Sequence, residues 1–198
     1  MKTIDRAKFF AGYRAEFGKL RQPQVDGLQV LLAALETDYM VTDLRHAAYM
    51  LATVFHECAG TWEPITERGG PEYFSKYDPG TRLGRNLGNT QRGDGARFCG
   101  RGYVQITGRD NYIRIGRALG LGHGLTVEPE AALDPAIAYR IMSGGMRLGL
   151  FTGRKLSDFI AGGACDYVNA RRIINGTDCA DRIAGYAARF ERVLVGAT

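Results

Sequence analysis

Two glutamates ten positions apart, Glu57 and Glu67, are the residues of this sequence best suited to acid–base chemistry. Glu57 follows His56 at the end of a segment whose apolar residues Leu51, Val54 and Phe55 recur at helical spacing. A carboxyl emerging beside apolar surface is held toward its neutral form and suits a general acid. Glu67 stands next to Arg68 in a glycine-rich stretch, where a cation and water favour the ionised form. One carboxyl as acid and a second as base or nucleophile is the pair that glycosidic hydrolysis requires. Spacing alone does not select it, because helix-end and loop glutamates are common, and Glu63 and Glu72 compete for the second role.

Other chemistries fit the same region less well. A zinc motif HExxH would need histidine where Gly60 stands, and no zinc-finger spacing occurs. Cys58 beside His56 is a conceivable nucleophile, but sequence neighbours on one helix rarely form a catalytic pair. The four cysteines, Cys58, Cys99, Cys165 and Cys179, are too few for a disulfide scaffold and read as reduced and structural. No metal and no cofactor is expected. A second segment, Gly100 to Tyr112, sets Gln105, Thr107 and Asn111 among glycines. If Tyr103 to Thr107 is extended, Gln105 and Thr107 share a face and could bind sugar hydroxyls, acetamido groups or a water. The competing reading is an Arg/Gly/Tyr loop on a nucleic acid backbone. A third segment, Arg171 to Gly176, ends in Asn175–Gly176, a left-handed turn signal between helices. Its paired arginines read as a solvated face.

The elements that must hold these residues are mostly helices. Helices are expected over residues 4–19, 24–35, 111–119 and 135–148, with Pro135 opening the last. Asp43 is the expected N-cap of a helix running to Ala59–Gly60, with an apolar stripe of Leu44, Ala47, Ala48, Leu51, Val54 and Phe55. Short helices are expected at 157–160 and 166–174, then a final helix capped by Thr177 or Asp178. Nine glycines between Cys58 and Gly100 erase the periodicity there, so that stretch reads as mainly loop. The class is mainly α with a glycine-rich wing. No repeat or linker interrupts the 198 residues, so residues 1–198 are expected to form a single catalytic domain.

The charge is uneven. The chain carries +5, yet residues 82–117 hold eight arginines against Asp94 and Asp110. Such a surface favours an anionic partner: nucleic acid, membrane surface or acidic glycan. The longest apolar run, Ala47 to Phe55, is about half of the roughly 20 residues a membrane helix needs. Lys2, Asp5, Arg6 and Lys8 at the start leave no apolar core for a cleaved signal, so a cytoplasmic location is expected, with release by another agent if the protein acts elsewhere.

Four segments in order resemble glycoside hydrolase family 19, the plant-type chitinases and the related phage and bacterial peptidoglycan hydrolases. They are His56–Glu57; Glu67–Arg68–Gly69; Gly100–Arg101–Gly102 through Gln105–Ile106–Thr107 and on to Asn111–Tyr112; and Ile174–Asn175–Gly176 followed by Asp181–Arg182–Ile183. The resemblance spans about residues 40–195. It implies a lysozyme-like, two-lobed α-helical domain with a glycine-rich loop and short-strand wing beside a glycan cleft. It implies the cytoplasm of a bacterial host as the location, with release to the cell wall or periplasm. It implies Glu57 as general acid, Glu67 as the base that activates water with inversion, and Thr107 as a residue that helps hold that water. It places Gln105, Asn111 and Asn175 on substrate, His56 along the cleft wall, and Arg182 against the second carboxylate. Tyr73, within the stretch from His56 to Gly95 that looks like the phage branch, joins the substrate-binding set. The Arg-Gly context of Glu67 favours it over Glu63 and Glu72. Asp110 replaces a tyrosine that often precedes the Asn-Tyr pair in chitinases, and the few cysteines also depart from the plant pattern.

The expected activity is an endolysin-type glycosidase that cuts β-1,4 bonds of peptidoglycan as a monomer, without binding nucleic acid and without stable membrane insertion. Peptidoglycan carries carboxylates and chitin does not, so the arginine excess favours the former. A chitinase and a non-catalytic wall-binding module are the alternatives. A basic final helix with Arg182, Arg189 and Arg192 would also suit an anionic lipid surface.

Overall fold

The computed structural model describes residues 3–198. In chain order its elements are helices α1 (Arg6–Phe17), α2 (Gln22–Thr37) and α3 (Leu44–Glu57), strand β1 (Ile65–Thr66), helices α4 (Pro71–Phe74), α5 (Arg82–Asn86) and α6 (Asp94–Arg97), and strand β2 (Arg101–Gly102). Helices α7 (Arg109–Ala118), α8 (Gly124–Val127) and α9 (Pro135–Leu148), strands β3 (Ile160–Ala161) and β4 (Ala164–Cys165), and helix α10 (Ala180–Ala197) complete it. The fold is mainly α. Its strands form two antiparallel pairs, β1 with β2 and β3 with β4. The chain divides into two compact units: the N-terminal part to Glu63 with Gly145–Thr198, and Pro64–Gly144.

In the first unit, α3 packs on α10 and α10 packs on α1. Asp43 caps α3, its carboxylate accepting the Arg45 N–H at 2.9 Å. The sequence foresees one apolar stripe on this helix, yet all eight residues from Ala47 to Val54 are buried. Ala47, Ala48 and Ala52 let neighbours approach closely, and Thr53 spends its hydroxyl on the Tyr49 carbonyl at 2.9 Å. The helix therefore runs through the core of its unit. Ala59 and Gly60 then enter the left-handed region, at φ 49° and 70°, and the Gly60 N–H closes on the Phe55 carbonyl at 2.9 Å. Tyr13, Phe17, Phe55, Trp62 and Phe190 form an aromatic cluster beneath this turn, with Phe17 and Phe190 stacked at 4.4 Å.

Two expectations change in this unit. The residue before α10 is neither Thr177 nor Asp178 but Cys179, in the left-handed region at φ 55°. Neither Asn175 nor Gly176 takes that conformation, so the turn lies four residues later than the Asn-Gly signal indicates. The basic helix is also less free than its composition implies. Arg189 and Arg192 both hold Glu16 of α1, at 3.3 and 2.8 Å, and Arg189 lies over the Phe17 ring at 4.1 Å. These arginines dock α1 onto α10. Among the described residues, no helix is long and apolar enough to cross a membrane.

The second unit is where the glycine-rich stretch folds. It stays mostly turn and loop, as expected, but is punctuated by β1 and the one-turn helices α4, α5 and α6, with a 3₁₀ turn at Ser75–Tyr77. Periodicity misses helices of one turn because they show too little of a face. Their spacing is fixed by polar anchors. Asp78 accepts the N–H groups of Gly93 and Gly95 at 3.1 and 2.9 Å, and buried Asn89 donates to the Tyr77 carbonyl at 2.8 Å. Asp94, 2% exposed, takes Arg109 and the N–H groups of Thr90 and Gln91. Burial pushes the Asp94 carboxyl up, but these donors outweigh it and hold it below the usual range.

Candidate functional site

The residues singled out in the sequence are divided between the two units, and each group is described within its own. In the first unit Glu57 is the last residue of α3. The sequence sets it beside apolar surface. The structure sets a guanidinium there: Arg171 Nη1 donates to Glu57 Oε1 at 2.6 Å, with the side chains 3% and 17% exposed. Arg171 comes from a 3₁₀ turn at Asn169–Ile173, and its Nε donates to the Asp178 carbonyl at 3.0 Å, so the guanidinium is fixed from both sides. Oε2 of Glu57 accepts no hydrogen bond among the described residues. Behind the pair lies the Tyr49 hydroxyl, buried without a partner. Burial raises the Tyr49 phenol, with the Arg171 charge acting the other way, so Tyr49 stays neutral.

Reading Arg171 and Arg172 as a solvated face holds for Arg172 only, which is exposed. Ala170 and Ile173 are buried and flank the two arginines, so the apolar context was visible. Which arginine turns inward depends on the 3₁₀ geometry. His56 is half-buried, and its ring makes no hydrogen bond among the described residues. Asn175 is exposed, its Oδ1 accepting the Gly176 N–H at 2.9 Å. Arg182, expected to hold the second carboxylate, stands exposed in the first turn of α10 and makes no ion pair within its unit.

In the second unit Glu67 follows β1, whose pairing with β2 sets Ile65 opposite Gly102 and Thr66 opposite Arg101. Its own N–H donates to the Gly100 carbonyl at 2.7 Å, and the Gly100 N–H returns to Oε2 at 3.1 Å. Oε1 accepts the phenols of Tyr73 at 2.9 Å and Tyr77 at 3.0 Å. Arg68, the neighbour the sequence offers as partner, is exposed and forms no ion pair with Glu67. Burial, then donation to Glu67, pushes the Tyr77 phenol up to about 12, so it remains a protonated donor. Lys76 lies 3.3 Å from the centre of the Tyr73 ring and 4.6 Å from that of Tyr77. Gly100 leaves room for this closeness: a Cβ there would lie 2.9 Å from Gln105 Oε1 and 3.3 Å from Glu67 Oε2, so those side chains would have to shift.

Tyr103 to Thr107 is a tight turn rather than a strand. Arg101 and Ile106 exchange backbone hydrogen bonds at 3.2 and 3.0 Å, and Gln105 sits in the left-handed region at φ 53°. Gln105 and Thr107 therefore do not share a strand face. The Gln105 amide donates to the carbonyls of Ile65 and Gly102 at 2.9 and 3.0 Å, which pins the turn to β1. Thr107 Oγ1 donates to the Gln105 carbonyl at 3.0 Å, and Asn111 Nδ2 to the Thr107 carbonyl at 2.6 Å. Arg101 is an internal anchor, 6% exposed. It donates to the Arg97 carbonyl, the Tyr112 hydroxyl and Glu130. The arginine of the Gly-Arg-Gly fragment is thus turned into its unit rather than presented to solvent. Among the described residues no group of three or more histidines, cysteines, aspartates or glutamates is arranged to hold a metal ion, and none of the four cysteines forms a disulfide.

This helical arrangement is a chitinase fold. Chitinase C from Streptomyces griseus HUT6037 matches over 98% of this chain and 93% of that one, with a TM-score of 0.61 at 20% identity. The structure of a chitinase C mutant matches over 99% and 94%, with a TM-score of 0.55 at 21% identity. At such identities the likeness establishes the fold. No family model and no curated protein matches the chain.

Proposed function

We propose that this protein is an endolysin-type glycoside hydrolase that cleaves β-1,4 bonds of bacterial peptidoglycan. The observation that carries the reading is Glu67, a partly exposed carboxylate fixed by two phenols and a backbone N–H on a glycine-lined turn. Glu57 is the general acid: Arg171 holds Oε1, and a proton on Oε2 passes to the glycosidic oxygen as the bond to the anomeric carbon breaks. Glu67 is the base. It takes the proton of the water that adds to that carbon, so the products are a new reducing end and a free hydroxyl. Tyr73 and Tyr77 keep the Glu67 carboxylate in one orientation through this step.

Peptidoglycan is preferred over chitin because residues 82–117 remain basic on the surface. Of their eight arginines, Arg101 and Arg109 pair with Glu130 and Asp94, and Arg82, Arg85, Arg92, Arg97, Arg114 and Arg117 are exposed. The second reading, a chitinase, is favoured by the fold shared with chitinase C. Mass spectrometry of purified sacculi digested with wild type and Glu57→Gln, with chitin oligomers in parallel, tests both. Reducing-end muropeptides from wild type alone are expected. Product only from chitin would establish the second reading, and lysis that survives Glu57→Gln would sink both.

A further inference from the structure

Helix α7 forms one wall of an open cavity of about 790 Å³ lined by Asn86, Asp110, Asn111, Ile113, Arg114 and Arg117. That volume is of the size that holds small ligands. Arg114 and Arg117 lie one helical turn apart, both exposed, and outnumber the single acid. Arg117 makes no ion pair among the described residues. Arg114 Nη2 donates to Asn111 Oδ1 at 2.6 Å, and Asn111 continues to the Thr107 carbonyl. From Thr107 the hydrogen bonds pass to Gln105 and then to Ile65, two residues before Glu67. The cavity wall and the turn that holds Glu67 are thus one connected framework.

The lining has a distinct chemistry. Two guanidiniums suit a carboxylate, which they can take in a forked geometry. The Asn86 amide suits the peptide or acetamido groups that would accompany it, and Ile113 gives a short apolar wall. A neutral GlcNAc polymer offers the guanidiniums only uncharged acceptors, which bind them more weakly than a carboxylate. We propose that this cavity is a subsite for the carboxylate-bearing stem peptide of peptidoglycan, with Arg114 and Arg117 as its recognition residues. The proposal rests on the glycan-hydrolase reading and names the feature of the substrate that this face selects.

The test is titration of the isotopically labelled full chain, followed by NMR, with N-acetylmuramyl-L-alanyl-D-isoglutamine, its carboxamide and N-acetylmuramic acid. Shifts confined to Asn86 and residues 110–117 are expected with the acid, with about tenfold weaker binding of the carboxamide. The Arg114→Ser/Arg117→Ser variant should lose the acid by a similar factor while keeping the wild-type circular dichroism. If that variant does not fold, the acid–carboxamide comparison on wild type decides alone. Equal binding of acid and carboxamide, shifts elsewhere, or wild-type affinity in a folded variant would overturn the proposal. N-acetylmuramic acid binding as tightly as the muramyl peptide would assign the cavity to the lactyl carboxylate and overturn the stem-peptide assignment. Release of reducing ends from sacculi by wild type is scored separately, so failure of the hydrolase reading is not confused with failure of this one.

Discussion

Arg171 reaches Glu57 across 2.6 Å while itself 3% exposed, so a buried cation depends on the one carboxylate at the end of α3. Breaking such a pair leaves the survivor without compensation, typically at a cost of about 3–5 kcal/mol. Arg171→Met should therefore lower the midpoint of thermal unfolding. It should also reduce kcat/KM by about 100-fold, since the carboxyl loses its fixed orientation. Arg171→Lys should recover part of the stability but little activity, because an ammonium cannot bond Glu57 and the Asp178 carbonyl in the same fork. Calorimetry and turnover of sacculi by the two variants check this, and full activity in Arg171→Met would remove Arg171 from the site.

The two phenols on Glu67 Oε1 can be separated from each other. A hydrogen bond to a charged acceptor contributes about 1.5–3 kcal/mol. Tyr73→Phe and Tyr77→Phe should each lower kcat, by about 10-fold or more, with a smaller change in KM. The double variant should fall below either single one. Tyr77 is the more buried of the two, so its loss should cost more. Steady-state kinetics on soluble glycan fragments gives the comparison, and unchanged kcat in both single variants would mean that Glu67 needs no such support.

Gly100→Ala is a geometric test of the same carboxylate. The new methyl would press on Gln105 Oε1 at 2.9 Å and on Glu67 Oε2 at 3.3 Å, displacing the side chain rather than unfolding the turn. Activity should drop by about 10-fold or more while the unfolding midpoint moves only slightly. A crystal structure of the variant would show the shift of the carboxylate directly.

Asp94 and Arg109 set the acid stability of the second unit. The folded carboxyl of Asp94 lies below its usual range, so its stabilising contribution is complete above the unfolded value of about 4 and is lost as pH falls through the folded value. Asp94→Asn should destabilise the protein by about 3 kcal/mol at neutral pH, because Arg109 loses a buried partner. The gap between variant and wild type should narrow in acid. Urea denaturation across that range measures it, and a gap independent of pH would show that the carboxylate is not the source.

Much of this protein was legible in the chain alone. The residue types settled the helical class, since Asp43, the apolar periodicity and Pro135 act within a few residues of themselves, and local signals survive without tertiary context. Glu57 and Glu67 could be picked out because their chemical type and neighbouring glycines are sequence properties. Their partners could not. Arg68 is adjacent to Glu67 in the chain, yet Tyr73, Tyr77 and Gly100 are adjacent in space. Arg171 lies 114 positions from Glu57, a pairing made by packing α10 and its preceding turns on α3. The turn at Gln105 likewise depends on carbonyls supplied by β1 and β2, which no local propensity encodes. Composition and short-range pattern determined which groups were present and which segments were helical. Tertiary packing decided which group each carboxylate meets, because hydrogen bonds and ion pairs depend on distance in space and not along the chain.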